Sequence, residues 1–150
     1  MPNLKKIISS HNRKILKPDQ NQELRPACNC RRNSEPCPLE GKCLVNMVVY
    51  RATVTDETNK VESYTGLSSN TFKKRYYGHR HSFRDRESEK STTLSTHIWK
   101  LKKSNKNFDI KWEVVDRASV FNLTSRKCRL CLKEKYYILF HEEGATLKKR

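Results

Sequence analysis

Five side chains of this 150-residue sequence are of types that could act on a phosphate diester: Tyr50, Tyr64, Arg75, His79 and Glu134. They stand in the phrases VVY (48–50), YTG (64–66), TFKKRYYGH (71–79) and CLKEKYYIL. Hydrolysis of such a bond needs an activated water, charge stabilisation on the phosphoryl oxygens and a neutralised leaving oxygen. A divalent metal supplies much of this as Lewis acid and template. The planar guanidinium of Arg75 matches phosphate oxygens. A tyrosine could take the proton of the water if metal and arginine lowered its pKa from about 10. Glu134 is flanked on its helical face by Leu130, Cys131, Tyr137 and Ile138, and a carboxylate in such company needs a partner. One acid argues for a one-metal site. Mg²⁺ (or Mn²⁺) suits it, because Mg²⁺ keeps several waters and asks for few protein ligands. His79 would support, contacting phosphate or sharing in proton transfer.

Taken singly, each residue has a plainer reading. The tyrosines could be half-buried sheet aromatics, and Arg75 one more surface cation among 32 basic residues. His79 and His81 could be solvated helix residues. Glu134 could pair with Lys135 or Arg75. The ordered set favours the chemistry.

The elements that must position these groups follow from periodicity. Val48, Tyr50, Ala52 and Val54 alternate onto one face of a strand. TDETNKVE is a polar turn and SYTGL a returning strand, so 47–67 reads as a hairpin. Gly66 suggests close backbone approach or a bulge. Ser69 or Asn70 can cap a helix running to about residue 84. Phe72, Tyr76 and Phe83 share one side of it, and Arg75 and His79 another stripe. Gly78 weakens its second half. RDRESEK reads as a loop. A second helix begins near Thr92 or Thr93, with Leu94, Ile98 and Leu101 facing inward. Phe108, Ile110, Trp112 and Val114 alternate as a third strand. SVFNLTS is a loop, and a third helix covers about 125–141. The predicted fold is α+β: a small antiparallel three-stranded sheet flanked by three helices.

Composition bounds the partner. There are 32 basic and 16 acidic residues, a formal net charge of +16. Such an excess points to a polyanion, and nucleic acid is favoured because counterion release gives strong sequence-independent affinity. Lys73, Lys74, Arg80 and Arg84 on the first helix are the candidate DNA contacts. No segment has the long amphipathic or apolar character of a membrane element. The N-terminal residues lack the apolar core of a secretory signal, so an intracellular, nuclear chain with reduced thiols is expected. The sequon at Asn122 is then accidental.

Six cysteines remain. Cys28, Cys30, Cys37 and Cys43 precede the first strand, and Cys128 and Cys131 open the Glu134 helix. Zn²⁺ takes four ligands in a tetrahedron. Either the first four close a structural site, or Cys128 and Cys131 complete one with two of them. The plain alternative is unliganded reduced thiols.

In this order, VVY, YTG, Arg75, His79 and Glu134 resemble the GIY-YIG nuclease superfamily, over about 47–148. Together with CNCRRNSEPCPLEGKC, YTGLSSNTFKKRYYGHRHSFR, STTLSTHIWKLK and CRLCLKEKYYIL, the chain is similar to the C-terminal endonuclease domain of Penelope-like retroelements. The resemblance implies Tyr50 and Tyr64 as motif tyrosines, Arg75 as the helical arginine, His79 as the motif histidine and Glu134 as the metal ligand. It also implies nicking of target DNA before reverse transcription, with a reverse transcriptase domain encoded upstream as partner. Val48 and Val49 replace Gly-Ile of the first motif, Thr65 replaces isoleucine, and Lys148 stands where the family often carries asparagine.

The expected organisation is therefore a basic flexible arm or linker at 1–27, a cysteine-rich zinc-binding extension at 28–46 and a GIY-YIG-like endonuclease domain at 47–150. The expected activity is divalent-metal-dependent nicking of double-stranded DNA. The alternative is a catalytically inactive, zinc-stabilised nucleic-acid-binding module. A secreted disulfide protein, the third reading, would need a signal peptide.

Overall fold

The computed structural model of the chain describes residues 28–30, 36–119, 128–140 and 146–147. The expected basic arm (1–27), the sequon at Asn122, most of the SVFNLTS loop and Lys148 lie outside the described residues.

Three strands form one antiparallel sheet: β1 (Val48–Asp56), β2 (Val61–Ser68) and β3 (Phe108–Arg117), in the order β2-β1-β3. Three helices accompany them: α1 (Phe72–Ser82), α2 (Thr93–Lys103) and α3 (Arg129–Leu139). The predicted α+β class and element order therefore hold. A short 3₁₀ turn at Arg86–Ser88 interrupts the expected RDRESEK loop.

The β1–β2 turn is built locally. Asp56 Oδ1 accepts the amides of Thr58 at 2.9 Å and Lys60 at 3.0 Å. Asn59 takes a left-handed φ of 59°, which asparagine tolerates. The turn fixes a register in which Tyr50 faces Gly66 and Ala52 faces Tyr64. Because side chains alternate across a strand, Tyr50 and Tyr64 emerge on the same side of the sheet.

That side carries the larger core. Val48, Tyr50, Ala52, Val54 and Tyr64 pack there with Phe72 and Phe83 near α1, Leu94, Ile98 and Leu101 from α2, and Trp112 from β3. Thr71 caps α1, its hydroxyl accepting from Lys74 N–H at 3.4 Å. This corrects the expected cap at Ser69 or Asn70, and the helix ends at Ser82 rather than near 84. The first two amides of α1 donate to Val45 and Cys43 carbonyls at 2.8 and 2.7 Å, so the cysteine-rich loop satisfies the helix start. Thr92 caps α2 through Ser95 N–H, and Leu94, Ile98 and Leu101 are buried as the spacing requires. Trp99 Nε1–H donates to the Ser82 carbonyl at 2.8 Å and locks α2 to the end of α1.

The other side of the sheet belongs to α3. Leu130 and Tyr137 pack with Val49, Leu67 and Ala118. Leu130, Lys133, Glu134 and Tyr137 repeat at i, i+3, i+4 and i+7, and the first three are buried. Lys133 Nζ meets Asp116 at 2.9 Å and the Arg117 carbonyl at 2.6 Å, beside a register shift in β1–β3. Helix α3 begins at Arg129, with 125–127 outside the described residues. Beyond it, Thr146 and Leu147 lie along β2: Leu147 N–H donates to the Ser63 carbonyl at 2.9 Å, and Leu147 joins the larger core.

Candidate functional site

Tyr50 is the hub. Its ring is fully buried among Phe72, Trp112, Tyr64 and His79. Its hydroxyl receives the Nε–H of Arg75 at 2.9 Å and lies 2.7 Å from His79 Nε2. Residues 75 and 79 are one helical turn apart, so α1 delivers both to one oxygen. The phenol oxygen can accept from Arg75 while donating to His79, or accept from both and turn its proton elsewhere. Either way the imidazole, 2% exposed, is a buried polar partner rather than a solvated helix residue.

Gly66 makes this geometry possible. A Cβ at that position would fall 2.5 Å from the Tyr50 hydroxyl and 2.9 Å from the Tyr64 ring. The glycine is needed for close approach, as its place in the strand suggested.

Tyr64 is 1% exposed and packs edge-on to His79. Its hydroxyl is within electrostatic reach of Arg75 and Tyr50, yet it makes no well-formed hydrogen bond.

Burial pushes the Tyr50 phenol well above the ordinary tyrosine range. Tyr64 adds to the shift, and Arg75 opposes it without prevailing. The expected lowering by arginine is thus present but outweighed. Tyr50 is a neutral phenol, suited to orient and relay protons.

Tyr64 and Arg75 open onto a cleft of about 900 Å³ whose other wall carries Thr93, Thr96, His97 and Lys100 of α2. Burial lowers the His97 pKa, which favours the neutral ring. Sequence reasoning did not single out these four residues. The signal was available: 93, 96, 97 and 100 repeat at i, i+3, i+4 and i+7, opposite the buried stripe of Leu94, Ile98 and Leu101.

Four of the five expected catalytic residues, Tyr50, Tyr64, Arg75 and His79, are therefore brought together on one sheet face. Glu134 is buried on α3, the helix that covers the opposite face. Among the described residues lining the cleft there is no carboxylate. Mg²⁺ asks for oxygen ligands, usually carboxylates, and the described lining supplies none.

The candidate DNA contacts divide. Lys74, Arg80 and Arg84 are exposed, and Arg80 and Arg84 flank a surface groove with Tyr77 and His81. Lys73 is occupied differently: its Nζ donates to Asn29 Oδ1 at 2.8 Å, tethering the cysteine-rich segment to α1.

The cysteines separate into two groups. The sulfurs of Cys28, Cys30, Cys37 and Cys43 all lie within 4.8 Å of one another, with Cys30 3.6 Å from Cys37 and 3.9 Å from Cys43. Tetrahedral zinc at about 2.3 Å from each sulfur implies edges of about 3.8 Å. The four thiols therefore fit a structural metal site and could hold a zinc ion. The Cys30 thiol is pushed up to about 12, chiefly by hydrogen bonding with Cys28 and then Cys37. Cys128 and Cys131 are joined by a disulfide at the start of α3. That corrects their candidacy as zinc ligands and the expectation of reduced thiols there: spacing of two residues serves a bridge as readily as a chelate.

Comparison with protein-family models, curated proteins and solved structures found no match for this chain.

Proposed function

We propose that this chain is a divalent-metal-dependent DNA endonuclease of the GIY-YIG type that nicks phosphodiester bonds, derived from a Penelope-like retroelement. The observation that carries the reading is the convergence of Arg75 and His79 on the Tyr50 hydroxyl, with Tyr64 beside them. Arg75 would hold a phosphoryl oxygen while remaining fixed through Nε. The Tyr50–His79 pair would orient groups and relay a proton. Tyr64 would donate to or accept from the reacting phosphate or its water. A divalent ion would supply Lewis-acid activation. The four-cysteine cluster would hold structural zinc, and the net charge of +16 supports a nucleic-acid partner.

Supercoiled plasmid incubated with the purified chain tests this, with Mg²⁺, Mn²⁺ or EDTA and with Arg75→Ala and Glu134→Ala alongside. Wild type should nick with metal only. Arg75→Ala should lose roughly 10²–10³-fold in rate while still binding DNA, and Glu134→Ala decides whether the carboxylate of the opposite layer takes part. Absence of nicking under every divalent metal would defeat the enzyme reading.

One observation favours a second reading, a zinc-stabilised binding module without catalysis: Glu134 lies on the helix of the opposite layer, and no carboxylate is among the described residues lining the cleft. It predicts salt-sensitive DNA binding and no cleavage by any variant.

A further inference from the structure

We propose that Cys128 and Cys131 are a reversible redox site, a Cys-x2-Cys pair at the start of α3 that exchanges electrons with small thiol reductants. The bridged residues are three apart, and the bond joins the N-cap of α3 to its own first turn. Helix geometry already makes such positions neighbours. The bond therefore ties no second element to α3. The loop it closes is among the shortest a disulfide can close, where the gain in chain entropy is least. A structural staple explains it poorly.

The position suits exchange. Cys128 is the N-cap residue, and its sulfur accepts the Cys131 N–H at 3.2 Å. The first turn of α3 holds no acid, and the exposed Arg129 adjoins the cap. Helix amides and the positive end of the helix stabilise a thiolate at Cys128. A stabilised thiolate leaves readily when the bridge is opened. Both cysteines are partly exposed, so a small thiol can reach them. Leu130, between them, is buried against Val49 and Ala118 and keeps the pair in place when the bond is broken. Cys28, Cys30, Cys37 and Cys43 are free thiols in the same chain, so oxidation is confined to this pair.

The exchange consumes two reductant thiols. The thiolate of the first attacks one bridge sulfur, forms a mixed disulfide and releases the other cysteine as a thiolate. The second attacks the reductant sulfur of that mixed disulfide and departs with it as the oxidised reductant. Two electrons and two protons pass to the protein, which ends with two thiols. Neither DNA nor the Tyr50 cluster takes part, so the site stands or falls apart from the nuclease reading.

Two measurements on the full chain test the proposal. The chain is equilibrated in glutathione buffers of graded thiol-to-disulfide ratio and trapped with iodoacetamide. Mass spectrometry then weighs the peptide carrying both cysteines. It should pass from bridged to doubly alkylated in one two-electron step, with the circular dichroism of the fold unchanged, and return when the ratio is reversed. A pair that stays reduced at every ratio, or stays bridged until the chain unfolds, would overturn the proposal. Single variants at pH 7 supply the second measurement. Cys128 in Cys131→Ser should react with iodoacetamide about tenfold faster than Cys131 in Cys128→Ser. Equal rates, both at the pace of an unperturbed thiol, would reject the stabilised thiolate and the exchange site with it.

Discussion

Gly66 lies beneath the hydroxyl of Tyr50, its cross-strand partner, so closely that a single added methyl group would sit 2.5 Å from that oxygen. The tyrosine cannot easily withdraw, because Phe72, Trp112 and His79 surround its ring. Gly66→Ala should therefore displace the hydroxyl from Arg75 and His79. Overpacking of this kind costs about 1–3 kcal/mol. Urea unfolding should report that loss, and plasmid nicking should fall by more than the unfolded fraction explains. Unchanged stability and nicking would mean the ring has room that the packing denies.

The neutral Tyr50 phenol gives an alkaline prediction. Its folded-state pKa is raised, mainly by burial, so the folded chain retains a proton that the unfolded chain releases. The associated stability is present below the ordinary tyrosine value of about 10 and is lost as pH rises beyond it. Unfolding midpoints measured from about pH 8 to about 11 should fall more steeply for wild type than for Tyr50→Phe. Tyr137, pushed up to about 12 mainly by burial, contributes equally to both proteins. Parallel curves would show that Tyr50 ionises as freely folded as unfolded.

The cysteine cluster should carry one zinc per chain by elemental analysis. Cys43→Ser removes the buried member of the four and should abolish that zinc. Loss of the cross-link also frees the loop carbonyls that hold the start of α1. At about 2–4 °C per kcal/mol, a loss of about 3 kcal/mol would lower Tm by roughly 6–12 °C. Cys128→Ser/Cys131→Ser should keep its zinc. Zinc lost from that double variant would reinstate the mixed ligand set.

Gly78 is the counterpart of Gly66. A Cβ there meets nothing within 4 Å, and the residue lies inside α1. Gly78→Ala should stabilise the fold by up to about 1 kcal/mol through helix propensity, with DNA binding unchanged. Destabilisation would reveal a packing role that the open space excludes.

The element order was legible in the sequence because each element declares itself locally. Alternation made the strands, and the 94–98–101 spacing made α2. The turn chemistry around Asp56 set the register that brings Tyr50 and Tyr64 to one face. Helical spacing likewise put Arg75 and His79 within reach of one oxygen. Local signals failed at boundaries, where Thr71 rather than its neighbours capped α1.

What local pattern could not decide was which groups share a layer. Glu134 sits on an amphipathic stripe that sequence alone recognises, but the stripe does not say which sheet face it covers. Only packing against Val49 and Leu67 fixes that. The same holds for cysteines: spacing allowed several ligand sets, and chain folding gathered four and bridged two. Even Tyr50, visible from the start, owes its raised pKa to neighbours from three different elements. Burial is a property of the assembled core, and no single segment contains it.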